Sequence, residues 1–311
     1  MDLLFLKPVF KQMIWGGNRM RAEYGYDIPG DDTGECWAIS AHPNGDGEIA
    51  NGEYSGIKLS ELFDKHRELF GNIPGEKFPL LTKIIDAKGD LSIQVHPDDT
   101  YAAEHENGSL GKMECWYILD CDKDATIIIG HNAKDRQELE DMISNKRWSE
   151  FIREIPIKKG DFFQINPGCV HAIKGGTMIL ETQQNSDITY RVYDYDRLQN
   201  GKPRELHVKQ SIDVIKVPFE PAALGTGEQQ SVNAWFEQLI TCEYYTVWKA
   251  DLKGEETLVQ DQKFLLASVI EGSASIDGTP VEKGDHFIIP AGMKDMKVEG
   301  EASFIFSAVA K

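Results

Sequence analysis

No stretch of this sequence approaches the roughly 18 consecutive apolar residues that a membrane-crossing helix requires, so no such helix is expected. Cysteine is scarce. Cys36, Cys115, Cys121, Cys169 and Cys242 are odd in number, scattered and free of CxxC spacing, which argues for reduced thiols packed as small apolar groups in a cytoplasmic protein. Positive charge is also in deficit, with 33 Lys and Arg against 51 Asp and Glu and a net charge of −18. Such a surface repels nucleic acid and anionic membranes, so an anionic ligand requires cations concentrated in a pocket. The opening MDLLFLKPVF is apolar, but Lys7 and Pro8 interrupt it and no small-residue cleavage site follows, so it reads as a first strand and not a signal peptide.

What is present suits two packed cores: 311 residues, 41% of them apolar and 10% aromatic. Short runs rich in β-branched and aromatic residues dominate, among them GECWAISAHP, FPLLTKIIDAK, LSIQVHP, MECWYILD, ATIIIG, TMILETQQ, ITYRVYDYD, YTVWKADL and FLLASVIEG. Gly, Asn and Asp turns separate them, which predicts a mainly β protein of sandwich or barrel type. Apolar spacings of three and four predict helices only within 59–70, 98–106, 134–152 and 203–215. The polar LGTGEQQSVNAWFE marks a boundary near 225–235, giving an expected catalytic unit over 1–230 and a second unit over 231–311.

One element is written twice. PIKKGDFFQINPGCVH (156–171) and PVEKGDHFIIPAGMKD (280–295) share proline, lysine, glycine, aspartate, phenylalanine and isoleucine in step, and each holds two glycines eight apart. The spacing of Gly284, Pro290, Gly292 and Asp295 resembles the second motif of the cupin superfamily, except that cupins place histidine where Asp295 stands. The first copy keeps that histidine as His171, with its proline shifted to Pro167 and Gly175 in place of a later asparagine. The resemblance implies a bicupin, two jelly-roll-like barrels of which only the first carries a metal.

Ligands for that barrel follow from strand periodicity. Gln94 and His96 stand two apart in LSIQVHP, and Lys112 and Glu114 two apart in GKMECWYIL, so each pair leaves one face of its strand. With His171 they offer two imidazoles, a carboxylate and an amide oxygen, a set suited to one Zn²⁺ per chain in an open catalytic site. His42, His105, His131 and His207 fall outside the pattern and are expected at the surface; His286 in the second copy has no paired ligand.

FPLLTKIIDAKGDLSIQVHPDD, GKMECWYIL, PGCVHAI and ETQQNSDITYRVYDYDR, in this order, resemble the type I mannose-6-phosphate isomerases in their short bacterial form. The resemblance runs from KPVFKQMIWGG to about residue 215. It implies a metal held by Gln94, His96, Glu114 and His171, a catalytic Arg191, and acid/base or substrate-orienting roles for Lys112 and Glu181. It also implies that Lys83 and Ser92 line a phosphate pocket. Arg191 and Glu181 are expected on strands adjoining that of His171. The implied reaction interconverts mannose 6-phosphate and fructose 6-phosphate through a cis-enediol, with the base left open among Lys112, Glu181, His96 and a water on the metal. The expected partner is a small sugar phosphate, and the chain is expected as a monomer or weak homo-oligomer. Two other classes compete. His96-Pro97-Asp98 with His171 also spells the two-histidine, one-carboxylate pattern of a non-haem iron oxygenase, although Asp98 is well placed to cap a helix. A non-catalytic sugar-phosphate-binding bicupin is the other.

Overall fold

A computed structural model describes residues 2–223 and 231–310. The boundary expected near 225–235 thus falls largely on 224–230, outside the described residues. Three antiparallel sheets dominate. In the first, six strands run in the order Phe162–Ile165, Glu114–Cys121, Thr177–Gln184, Leu80–Ala87, Val9–Gly17, Thr33–Ile39. A five-stranded sheet, Tyr190–Tyr193, Ile93–Val95, His171–Ile173, Thr126–His131, Ile152–Pro156, packs on one face of it. Trp15, Ile85, Trp116, Ile118 and Ile179 meet Ile127, Ile129 and Ile173 between them.

The third sheet gathers the strands after residue 235, the long Tyr245–Leu258, Leu265–Ile276 and Met296–Val309 among them. Two short strands from early in the chain join it. Leu4–Lys7 pairs with His286–Ile289, Leu4 opposite Ile288, and Glu48–Ile49 pairs in turn with Leu4–Lys7. Trp248, Phe287, Phe304, Phe306 and Val298 fill the interior of this unit with apolar side chains.

The strand Glu114–Cys121 shows how the layers are built. Its first six residues are all buried, which a strand achieves only when both of its faces are covered. Cys115, Tyr117 and Leu119 face a core shared with Tyr245, Val247, Leu266 and Ile305 of the third sheet. Trp116 and Ile118 face the five-stranded sheet, and by the two-residue period Glu114 shares their side. Leu80–Ala87 and Thr177–Gln184 divide in the same way, with Ile84 and Leu180 in the shared core and Ile85 and Ile179 inside the sandwich.

Helices are few and peripheral. Residues 134–152 form two helices, Arg136–Ser144 and Trp148–Phe151, because Lys146 between them adopts a left-handed φ of 53°. Over 203–215 only Val208–Val214 is helical, since Lys202–Pro203 belongs to a short hairpin. Among the described residues no helix is long and apolar enough to cross a membrane.

The duplicated element folds as a strand with glycine turns in both copies. Gly160, Gly168, Gly284 and Gly292 have φ of 89°, 84°, 98° and 91°, values at which a Cβ is strained. His286 is buried in the second copy, where Nε2 meets the Tyr26 hydroxyl at 2.9 Å and Nδ1 the Ser268 hydroxyl at 2.8 Å. Tyr26 donates to the Gly284 carbonyl at 2.6 Å, so it accepts from Nε2, and the ring is a neutral structural link to the amino-terminal half.

Burial pushes His286 down from 6.5 to about 3. Below about pH 6.5 the unfolded chain takes up a proton at this ring that the folded chain refuses, so stability is lost as pH falls through that window. Urea unfolding of a His286→Gln variant is expected to show a shallower decline from about pH 7 to about pH 5 than the parent, by up to ~1.4 kcal/mol per pH unit.

Candidate metal centre and active-site pocket

Strand register sets the site. In the six-stranded sheet Trp37 is opposite Lys83, Lys83 opposite Glu181, and Glu181 opposite Trp116, so four inward side chains lie abreast. In the facing sheet Arg191 is opposite Gln94, and Gln94 opposite His171. The sequence expectation that Arg191 and Glu181 sit on strands adjoining His171 is therefore corrected. Ile93–Val95 separates the Arg191 strand from it, and the Glu181 strand lies in the opposite sheet, so the two residues approach across the sandwich.

His96, Glu114 and His171 converge between the sheets, all three buried. The two Nε2 atoms are 3.1 Å apart, and they lie 3.4 and 3.3 Å from the Glu114 carboxylate oxygens. The two distances to Glu114 fall on the edges of roughly 3.3–3.6 Å around a tetrahedral ion with bonds of 2.0–2.2 Å, and the distance between the nitrogens is slightly shorter. His171 Nδ1 contacts the Cys169 carbonyl at 2.9 Å, which makes Nδ1 the donor and leaves the Nε2 lone pair facing the centre. Glu114 Oε2 faces the Lys112 ammonium at 3.0 Å, while Oε1 is buried without a hydrogen-bond partner, a costly state unless a cation occupies the point it faces. Gln94 Nε2 lies 3.2 Å from His171 Nε2, and a half-turn of the amide presents its oxygen at the same point. The group thus fits a divalent metal.

Burial alone would neutralise these residues, and it keeps both imidazoles unprotonated, His96 down to about 3. Burial also opposes the charges of Glu114 and Lys112, but each outweighs it for the other. With Lys112 Nζ 3.0 Å from Glu114 Oε2, the carboxyl is held well below its usual range and the ammonium above its own. Glu181 moves the other way, raised by burial and by the nearby Glu114 charge.

Above the centre opens a cavity of about 330 Å³, walled by Gln94, Lys112, Lys83, Ser92, Glu181 and Arg191 together with Trp37, Glu35, Asp187, Arg204 and His207. Lys83 is not at the surface. It is buried with Nζ 3.6 Å from Glu181, 3.9 Å from Glu35 and 4.8 Å from the Trp37 ring centre. Trp116 Nε1 donates to Glu181 at 3.0 Å, and the Ser92 hydroxyl is 3.5 Å from the Gln94 amide oxygen. Arg191 Nε is buried with no hydrogen-bond partner. Asp98 accepts from the Tyr101 amide at 2.9 Å as a helix cap, so Glu114 and not Asp98 is the carboxylate beside the two histidines.

Two histidines expected at the surface are elsewhere. His131 is buried at a strand end with Nε2 2.9 Å from the Lys216 carbonyl, and His207 stands in the cavity wall with Nδ1 accepting the Arg191 amide at 3.2 Å. Arg204, Asp187, Glu35 and Trp37 went unrecognised in the sequence. Glu35 and Trp37 carry the two-residue strand spacing that picks out Gln94 and His96. Arg204 gives no such signal, since it follows an irregular hairpin and is fixed by two hydrogen bonds to Asp194 at 2.6 and 2.7 Å. Asp187 sits in a loop, held by His42 Nε2 at 3.3 Å and by Asn44.

A model of the phosphomannose isomerase type I catalytic domain matches residues 3–117, and one of the mannose-6-phosphate isomerase cupin domain matches 236–309. The mannose-6-phosphate isomerase ManA of Bacillus subtilis is 53% identical over 309 residues, covering 98% of both chains. The chain belongs to the type I phosphomannose isomerases. The mannose-6-phosphate isomerase of Streptococcus mutans is 47% identical over 98% of this chain and 97% of its own. A crystal structure of the Bacillus subtilis mannose 6-phosphate isomerase superposes with a TM-score of 0.94 at 48% identity, over 99% of each chain. The cavity and the His96, Glu114 and His171 cluster thus lie in a phosphomannose isomerase fold, and residues 236–309 match its cupin domain.

His171→Ala is expected to purify without a divalent metal, whereas His131→Ala, also a buried histidine, keeps it. Metal content by mass spectrometry distinguishes the two, and a metal-replete His171→Ala protein would remove that residue from the ligand set.

Proposed function

We propose that this chain interconverts D-mannose 6-phosphate and D-fructose 6-phosphate as a zinc-dependent aldose-ketose isomerase working through a cis-enediol. The observation that carries the reading is the buried His96, Glu114 and His171 cluster directly behind Gln94 and Lys112 in the cavity wall, with Glu181 and Arg191 facing the same space. Two neutral nitrogens, one carboxylate and one amide oxygen suit zinc, and the family supplies the substrate class. A zinc ion held by Gln94, His96, Glu114 and His171 would supply a Lewis acid to stabilise the negative charge that grows as the carbon 2 proton leaves.

The remaining chemistry falls to the chain's own side chains. A base takes the proton from carbon 2 of the open-chain aldose and the proton returns at carbon 1. Glu181, whose burial raises its affinity for a proton, and Lys112, beside Glu114, are the groups in the cavity wall that suit acid/base and orienting roles. The Arg191 guanidinium has no carboxylate partner among the described ion pairs, so its charge is available to an anionic oxygen of the substrate or of the enediolate. Lys83, Ser92 and Arg204 add cations and a hydroxyl for the phosphate, the local positive charge that a chain of net −18 requires.

A coupled assay of mannose 6-phosphate to fructose 6-phosphate tests the reading. Turnover is expected to cease with a strong chelator and to return with Zn²⁺, and chelator-insensitive turnover would overturn the metal mechanism. Arg191→Ala is expected to lower kcat by about two to three orders of magnitude with bound metal unchanged, comparable to losing one pre-organised donor to a developing oxyanion.

A further inference from the structure

One side chain of the carboxy-terminal unit is tied by hydrogen bonds to the segment that carries Lys112. Tyr244, in the turn before the strand Tyr245–Leu258, donates its hydroxyl to Asp99 Oδ2 at 2.8 Å. Asp99 opens the helix Asp99–His105, and its other oxygen accepts the Gly111 amide at 2.7 Å and Gln184 Nε2 at 3.0 Å. Gln184 in turn accepts the Met113 amide through Oε1 at 2.9 Å. Between Gly111 and Met113 stands Lys112, whose own amide donates to the carbonyl of Pro97, next to the metal-cluster residue His96, at 3.0 Å. All three amides of the 111–113 segment are therefore bound, one by Asp99 itself and one by Gln184, which Asp99 holds. Gly111 is pressed so close to the helix start that a Cβ would lie 2.4 Å from the Asp98 carbonyl carbon, so the segment has no slack on that side.

We propose that Tyr244 is a positioning residue for catalysis: it acts through Asp99 to lock the 111–113 segment, and so fixes Lys112 against Glu114. The carboxy-terminal unit, which holds no metal cluster among its described residues, then contributes to turnover as a brace. An Asp99 carboxylate without the tyrosine keeps the Gly111 amide and Gln184 but is free to turn about its side-chain torsions. The ammonium of Lys112, at the end of a flexible stem, inherits that freedom.

The role of Lys112 rests on the isomerase reading, whereas the lock on 111–113 does not, so the test reads both. In metal-loaded Tyr244→Phe protein, hydrogen exchange at the Gly111, Lys112 and Met113 amides is expected to accelerate about tenfold, the effect of losing one hydrogen bond to a charged group. The mannose 6-phosphate assay is expected to give kcat about tenfold lower, with KM within about twofold and metal content unchanged. Tyr26→Phe, which removes another tyrosine hydroxyl bonded between the two halves, is the control and should change neither readout. Asp99→Asn, which keeps the shape and removes the charge that Tyr244 binds, repeats the test if Tyr244→Phe does not fold. Parent-like exchange at 111–113 overturns the lock. Accelerated exchange with parent kcat, or an equal kcat loss in Tyr26→Phe, overturns the positioning role. A parent protein without isomerase activity overturns the functional reading, while exchange still decides the lock.

Discussion

A carboxylate shut away from water must be met by positive charge, and the inner half of this molecule is arranged around that requirement at Glu114. Lys112 meets Oε2 from its own strand end, the neutral His96 and His171 approach from the opposing sheet, and Oε1 still has no hydrogen-bond partner. Removing Lys112 alone leaves an uncompensated buried charge, typically a penalty of about 3–5 kcal/mol, so the lysine is tied to fold stability as well as to the site. The same charge reaches further, since it helps to raise the proton affinity of Glu181 across the cavity. Burial does most to raise Glu181, and the Glu114 anion adds to it while holding Lys112 charged.

What the sequence made legible was what a single strand can encode. Two-residue spacing assigns Gln94 with His96, and Lys112 with Glu114, to common faces, and the glycine turn identifies His171; the structure brings these residues together. Most strands were visible for the same reason, since β-branched and aromatic runs ended by turn residues report local propensity and burial. Pairing between strands is a long-range property, which is why the neighbours of the His171 strand were misjudged. Arg204 and Asp187 were invisible because each is positioned by a remote partner, Asp194 in one case and His42 in the other. His131 and His207 misled for a related reason: a histidine outside a motif looks like surface until its strand end or its neighbouring arginine is located.

The two copies of the repeated element diverge in what they hold in place. Both keep the left-handed glycines that turn the chain, and both keep an apolar strand between them. The first delivers His171 to the metal cluster, whereas the second delivers His286 to a tyrosine and a serine that satisfy both ring nitrogens. Its interior is packed with Trp248, Phe287, Phe304 and Phe306, and no metal-ligand cluster occurs there among the described residues. The second unit offers instead a rigid apolar body that covers the outer face of the strand bearing Glu114, with Tyr245 and Val247 set against the layer of Cys115 and Tyr117.

The pairing of Leu4–Lys7 with His286–Ile289 has a consequence for how the chain is made. These residues emerge from the ribosome nearly a whole chain length apart, so the earliest strand has no hydrogen-bonding partner on one edge until synthesis is almost over. Closing a loop of that size is slow compared with forming hairpins, and an unpaired apolar strand edge is prone to join the wrong neighbour while it waits. The first strand of the chain therefore has no sheet to join until the carboxy-terminal half exists, and the two units, which also share a core, mature as one body.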